Sequence, residues 1–289
     1  MIFKGNCTAL VTPLNKNGTK INFKVLEELI EMQINSSSSA ILVLGTTGES
    51  ATLSQKEKIE VVKFAKSCIK NQLPLIVGAG SNNTKQAIEN SKLFEELGAD
   101  ALLHVTPYYN KTTQSGLVSH FEKLADSTKI PTILYNVPSR TGVNILPETV
   151  KHLSHHPKIV GIKEASGNMA QISEILQFCD KNFALYSGDD NLTLPILSLG
   201  GQGVISVFGN IAPHIMQTLC TEFFDGNLFS ACQIQHKISP IVKALFCEVN
   251  PIPVKTALNL LGINVGPCRL PLAKMSAKNR NKLRKLLGL

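Results

Sequence analysis

Residues 159–166 read Ile-Val-Gly-Ile-Lys-Glu-Ala-Ser, four apolar residues in a row and then a lysine. A run without polar alternation suits a strand buried on both faces, the usual situation in a parallel sheet. Working outward, similar runs recur at 7–11, 40–44, 75–79, 101–105, 132–135, 183–186 and 203–207, and with 159–162 they make eight. The segments between them carry apolar residues at helical spacing. In 23–33 these are Val25, Leu26, Leu29, Ile30 and Met32, and in 55–68 they include Ile59, Val62 and Phe64. Helices are also expected over 83–97, which Gly98 stops, and over 115–126, 147–153, 169–179 and 192–199. Strand and helix alternating in this way predict an α/β fold, a closed (β/α)8 barrel. An open doubly wound sheet is the alternative, but the even spacing marks no edge strand.

After residue 207 no further strand run appears, and 212–225, 228–247, 253–261 and 274–286 read as helices. The expected division is a barrel over 1–225 and a C-terminal helical appendage over 226–289. No long linker separates them, so the appendage is expected to pack on the barrel.

Composition narrows the function. With 29 basic and 21 acidic residues the net charge is +8, and much of the excess is Lys274, Lys278, Arg280, Lys282, Arg284 and Lys285. Such a cluster suits an anion or nucleic-acid surface. It equally suits a solvated helical face with cations near the helix C-terminus, the reading preferred here. Seven cysteines, an odd number without a Cys-x-x-Cys pair, point to reduced thiols in a cytoplasmic protein rather than to disulfides or structural zinc. No signal peptide pattern and no apolar run of about 20 residues is present, so neither export nor membrane insertion is expected.

In such a barrel the chemistry sits where strands end at their C-terminal side. The residues that follow the strands are Thr12-Pro13, Gly45-Thr46-Thr47-Gly48-Glu49-Ser50, Gly78-Ala79-Gly80, Thr106-Pro107-Tyr108-Tyr109-Asn110, Tyr135 through Gly142, Lys163-Glu164-Ala165-Ser166, Ser187-Gly188-Asp189-Asp190-Asn191 and Ser206. Lys163 stands out. Among barrel side chains an ammonium has its charged form disfavoured, and it is the neutral amine that adds to a ketone. Taken alone, a lysine whose head snorkels to water is the better reading, and it is the neighbouring residues that reverse it. The Gly45-Thr46-Thr47-Gly48 turn offers hydroxyls and backbone N–H groups to a carboxylate, although a plain turn explains it equally. It lacks the Gly-Lys-Ser/Thr of a nucleotide loop, and Gly78-Ala79-Gly80 lacks the third glycine of a dinucleotide fingerprint. Tyr135 can shuttle protons beside Lys163, or be a buried phenol bonded to backbone. Arg140 can hold a second carboxylate, or form a surface ion pair. Metal ligation is not expected. His104 lies within a strand, His120 and His214 lie in helical segments, and His152, His155 and His156 fall away from the active rim. Asp189 and Asp190 are read as helix caps rather than cation ligands.

Gly45-Thr46-Thr47-Gly48-Glu49, Tyr135-Asn136-Val137-Pro138-Ser139-Arg140-Thr141-Gly142 and Gly161-Ile162-Lys163-Glu164, in that order, resemble the pyruvate-dependent class I aldolase and N-acetylneuraminate lyase family over essentially the whole chain. The second threonine of the turn, the Thr106-Pro107-Tyr108-Tyr109 run and Arg140 are most similar to members that condense pyruvate with L-aspartate 4-semialdehyde on the way to diaminopimelate and lysine. That resemblance implies a lyase without cofactor or metal, with Lys163 forming a Schiff base with pyruvate. It implies that Thr47, Gly188 and the backbone around Ile205 bind substrate, and that Arg140 takes the second carboxylate. Thr46, Tyr135 and Tyr109 would relay protons, with Tyr109 reaching in from a neighbouring subunit of a homotetramer. Lysine-inhibited members bind lysine near the residues matching Ser50, Ala51, Asn82 and Tyr108. Where strongly inhibited members carry His and Glu, this chain has Lys58 and Gln86, which implies weak or absent lysine feedback.

Two other readings remain at this point. Another aldolase of the same family, acting on a 2-keto-3-deoxy sugar acid or on N-acetylneuraminate, shares Lys163 and Tyr135 but needs no Arg140. A non-enzymatic barrel that binds nucleic acid through the basic tail predicts salt-dependent binding and no imine.

Overall fold

Eight strands form and close on themselves in a computed structural model that describes all 289 residues. They are β1 (Gly5–Ala9), β2 (Ala40–Val43), β3 (Leu75–Gly78), β4 (Ala101–Val105), β5 (Thr132–Asn136), β6 (Ile159–Glu164), β7 (Ala184–Ser187) and β8 (Gly203–Ser206). Every neighbouring pair is parallel, and β8 returns to β1, so no edge is left. The expected (β/α)8 barrel is the fold, and the open sheet is excluded. Outside run α1 (Phe23–Asn35), α2 (Gln55–Ile69), α3 (Thr84–Glu96), α4 (Gln114–Asp126), α5 (Pro138–Thr141), α6 (Pro147–Ser154), α7 (Met169–Phe178), α8 (Thr193–Ser198) and α9 (Pro213–Phe224). Then come α10 (Leu228–Leu245), α11 (Ile252–Leu260) and α12 (Ala277–Leu286), and no helix is long and apolar enough to cross a membrane.

The differences from the expected boundaries have local causes. Strand β1 begins at Gly5 rather than residue 7, because Gly5 pairs with Gly203 where a side chain on either strand has no room. Strand β6 continues through Lys163 and Glu164, which pair on one side with Tyr135 and Asn136 and on the other with Tyr186 and Ser187. The apolar pattern stops there but the backbone ladder does not. The last helix starts at Ala277 instead of residue 274, since the Ser276 hydroxyl accepts from the Asn279 N–H and caps it. Helix α5, which carries Arg140, is a single turn that apolar spacing does not reveal.

Alternation along the strands separates two cores. Inward-facing Cys7, Ala9, Leu42, Ile76, Leu103, Ile133, Tyr135 and Ile205 fill the barrel. At its N-terminal end the Phe3 ring stacks on Tyr186, centroids 4.1 Å apart, and the Tyr186 hydroxyl donates to Phe3 O at 3.0 Å. Outward-facing residues pack under the helices. One cluster joins α1, α2 and α9 to the C-terminal helices through Val25, Leu29, Val62, Met216, Val242 and Leu283, so the appendage shares its core with the barrel. On α12 only Leu283 is buried, and the lysines and arginines around it are exposed.

His104 faces outward from β4, fully buried, and neither ring nitrogen has a partner within the chain. Burial pushes its pKa down to about 3, and nearby His120 adds to the fall. The unfolded chain takes up a proton at about pH 6.5 that the folded chain refuses, so stability is lost as pH drops below that value. Unfolding free energy is expected to fall by about 2 kcal/mol between pH 7 and pH 5 on this account. Urea titrations of His104→Leu should show a shallower pH dependence than the parent chain; equal slopes would contradict the assignment.

Candidate active site

Two of the inward polar side chains stand together at the C-terminal end of the barrel. Tyr135 on β5 pairs with Lys163 on β6, and the lysine Nζ lies 4.4 Å from the centre of the phenol ring. Lys163 is 6% exposed, yet no carboxylate pairs with it and its amine makes no hydrogen bond within the chain. The stem runs up the barrel interior and the amine opens into a cavity of about 270 Å³ at the C-terminal mouth.

That cavity gathers most of the expected residues. Thr46, Thr47, Tyr135, Arg140, Lys163 and Gly188 all line it. Thr46 is exposed and Thr47 buried, and the backbone N–H groups of both lack an acceptor within the chain. The turn around them is set by Leu44 and Glu49, both at positive φ (56° and 53°), with Gly48 wedged against Leu10 O and the Leu44 N–H. Two adjacent free donors beside a barrel-buried amine form a nest for a carboxylate. Arg140, exposed on α5, donates from Nη2 to Asn250 O at 3.4 Å and has no acidic partner, which leaves its fork directed to the mouth. A Cβ at Gly188 would stand 2.6 Å from the Ala165 side chain and 3.0 Å from Glu164 O, so only glycine lets β7 pass so close to the lysine strand.

Other expected residues lie elsewhere. Ile205 is buried inside the barrel but does not line the cavity. Tyr109 is 92% exposed at φ 70°, outside the cavity of its own chain. Tyr108 is also exposed, and Asn82 Nδ2 donates to its carbonyl at 3.2 Å. Ser50 and Ala51 sit in a short turn before α2, whereas Gln86 bonds within its own helix to Asn90. Half-buried Lys58 has its pKa lowered by desolvation. Asp189 accepts from the Asn191 N–H, as a cap, while buried Asp190 gathers the Ser206 hydroxyl and the N–H groups of Val207 and Phe208. His152 and His156 pair with Glu122 and Asp126 of α4. No three His, Cys, Asp or Glu side chains gather to hold a metal ion.

Several residues had no signal in the local sequence. Phe246 and Asn250, from the appendage, complete the cavity wall, and Asn250 Nδ2 donates to Thr47 Oγ1 at 3.0 Å from 203 positions along the chain. Glu164 faces away from the barrel axis and anchors β6 from behind. It accepts from Asn136 Nδ2 at 2.9 Å, Gln171 Nε2 at 3.3 Å and the Ser166 N–H at 2.6 Å. Burial raises its pKa and these bonds oppose that rise. A larger cavity of about 640 Å³ between α11 and Arg280 contains Cys268, whose thiol is pushed up to about 12 by burial, and Lys255, whose amine is engaged with Glu49. Its lysines are either ion-paired, as Lys255 is, or exposed, as Lys274 is, whereas the smaller cavity holds a buried amine without a partner.

A closed parallel barrel with an unpaired lysine among hydroxyls at its mouth is the build of a lyase that works through an imine. A model of the dihydrodipicolinate synthetase family matches residues 2–288, and the chain belongs to that family. The 4-hydroxy-tetrahydrodipicolinate synthase of Caldicellulosiruptor saccharolyticus is 51% identical over 286 residues, covering 99% of this chain and 96% of its own. A dihydrodipicolinate synthase structure from Cyanidioschyzon merolae with lysine bound superposes with a TM-score of 0.96 at 44% identity, over 99% of this chain and 97% of that one. The chloride-inhibited enzyme of Acinetobacter baumannii complexed with pyruvate superposes at 0.97 and 41% identity, over 100% and 98%.

Glu164→Ala removes the acceptor for three buried or half-buried donors without touching the cavity. Unfolding free energy from urea titration is expected to fall by about 2 kcal/mol; a change within 0.5 kcal/mol, the ordinary surface range, would show that the donors find other partners.

Proposed function

We propose that the protein condenses pyruvate with L-aspartate 4-semialdehyde to 4-hydroxy-tetrahydrodipicolinate, a step toward diaminopimelate and lysine. The observation that carries this reading is the Lys163 amine, buried, without an ionic partner, and opening beside Tyr135 into the cavity. Its lone pair adds to C2 of pyruvate, and the oxygen leaves as water when the phenol of Tyr135 supplies the proton. The free N–H groups of Thr46 and Thr47 and the Thr47 hydroxyl hold the pyruvate carboxylate, with the backbone around Ile205 backing the pocket, while the Thr46 hydroxyl joins Tyr135 in the proton relay. Loss of a methyl proton turns the imine into an enamine, whose carbon attacks the aldehyde. The amino group of the second substrate then displaces Lys163 as the ring closes. Arg140 holds the second carboxylate, with Gly188 leaving room for it.

The free guanidinium of Arg140 at the mouth favours a second substrate with a carboxylate over a sugar acid. Exposed Tyr109 suits a group that completes the proton relay in a neighbouring subunit, so we also propose a homotetramer in the cytoplasm, with tight dimers as its unit. The chain is proposed as a barrel over 1–225 carrying a helical unit over 226–289.

Pyruvate followed by borohydride should add one reduced pyruvyl group to Lys163 by mass spectrometry, and Lys163→Ala should lose the adduct together with nearly all activity. Arg140→Ala should still trap pyruvate but raise KM for the semialdehyde by at least about tenfold, as for loss of a charge-assisted pair. An adduct on another lysine would overturn the assignment.

With Lys58 and Gln86 flanking Ser50, Ala51, Asn82 and Tyr108, no carboxylate from these positions is offered to a lysine ammonium. L-Lysine is expected to inhibit weakly or not at all, and Gln86→Glu to strengthen inhibition. A micromolar inhibition constant for the parent chain would contradict this.

A further inference from the structure

Glu49 and Lys255 form the most enclosed ion pair in the molecule, 2.8 Å apart with each side chain 2% exposed. Neither lines the active cavity. Glu49 ends the Gly-Thr-Thr-Gly-Glu turn in a left-handed conformation, φ 53°, that a non-glycine residue holds only when its surroundings enforce it. Those surroundings are specific. One carboxylate oxygen takes the Lys255 amine and the other takes the Arg269 N–H at 2.8 Å. The Lys255 amine also donates to Thr12 O at 3.1 Å and to Pro267 O at 2.8 Å, so its three protons tie the segment after β1, the turn and the C-terminal segment together. Thr12 in turn donates to Gly48 O at 2.7 Å, and Asn250, five residues before Lys255, holds Thr47. Each residue from Thr47 to Glu49 is thus fixed by a neighbour from another part of the chain.

We propose that the Glu49–Lys255 pair is a positioning device for pyruvate binding, a latch by which the C-terminal helices fix the direction of the free Thr46 and Thr47 N–H donors. This rests on the reading of those donors as the pyruvate carboxylate site. Lys163 stands on β6, which Glu164 anchors from the outer face, so the latch acts first on pyruvate affinity. A buried pair replaced on both sides by neutral groups of similar shape costs less than removing one partner, which strands a buried charge. The double variant Glu49→Gln/Lys255→Met therefore separates folding from positioning.

The experiment measures KM for pyruvate, kcat at saturating pyruvate, thermal midpoint and the rate of pyruvate–borohydride inactivation. For the double variant the thermal midpoint should fall, since the Thr12 and Pro267 carbonyls lose their donor, but the chain should stay folded at the assay temperature. KM for pyruvate should rise by roughly 10- to 100-fold, the range for a small displacement of a binding group. Inactivation at low pyruvate should slow in proportion, with kcat falling by a smaller factor than KM rises. Glu49→Asp keeps the charge and the fold but draws the carboxylate back by one methylene; it should raise KM several-fold if the double variant does not fold. Unchanged KM in a folded variant, with parent-like trapping, overturns the latch and leaves the reading of the site intact. Failure of the parent chain to trap pyruvate overturns both.

Discussion

The parallel register between β5 and β6 is the constraint on which the site depends. It sets Tyr135 beside Lys163, and closure of the barrel turns both side chains inward. In an open sheet helices would cover both faces of these strands and no shared interior would exist. In the closed barrel the interior layer of small and branched residues ends at the mouth, where a lysine stem is packed along its length and its amine still meets solvent.

Polar groups on the outside of the barrel hold that arrangement rigid. Glu164, one residue after the lysine, alternates to the outer face and is bonded to Asn136, Gln171 and the Ser166 backbone. Asn136 and Gln171 both bond Asn144, which joins β5, β6 and α7 into one network. Asp190 does the same for the end of β8, and Gln235 of α10 bonds the Asp190 carbonyl at 3.1 Å. Such buried networks are costly when partly satisfied, which gives them a single geometry when complete. The C-terminal segment belongs to this support, since its helices share a core cluster with α1 and α2 and it supplies Asn250 and Lys255 to the Thr46–Glu49 turn.

The barrel was legible because its signal is local and repeated. Eight apolar runs and the helices between them carry their own periodicity, and the ends differ by a few residues for reasons of glycine packing, capping and continued pairing. Lys163, Tyr135 and the threonine turn were legible because a barrel's active rim follows from strand order alone. Asn250, Phe246 and the Glu49–Lys255 pair were not, since nothing near residue 250 records a partner 203 positions away. Tyr109 illustrates a different limit. Its motif is plain in the sequence, but its side chain lies outside the cavity of its own chain, where only a neighbouring subunit could give it the role that the resemblance implies.

Pyruvate capture is the point at which these features meet, and crystallography of the protein reduced with borohydride in the presence of pyruvate tests it most directly. The account requires continuous density from Lys163 Nζ to C2 of the adduct, with the carboxylate on the Thr46 and Thr47 N–H groups and the Tyr135 hydroxyl within hydrogen-bonding reach. Density showing a free Lys163, or an adduct whose carboxylate turns away from that turn, would contradict it.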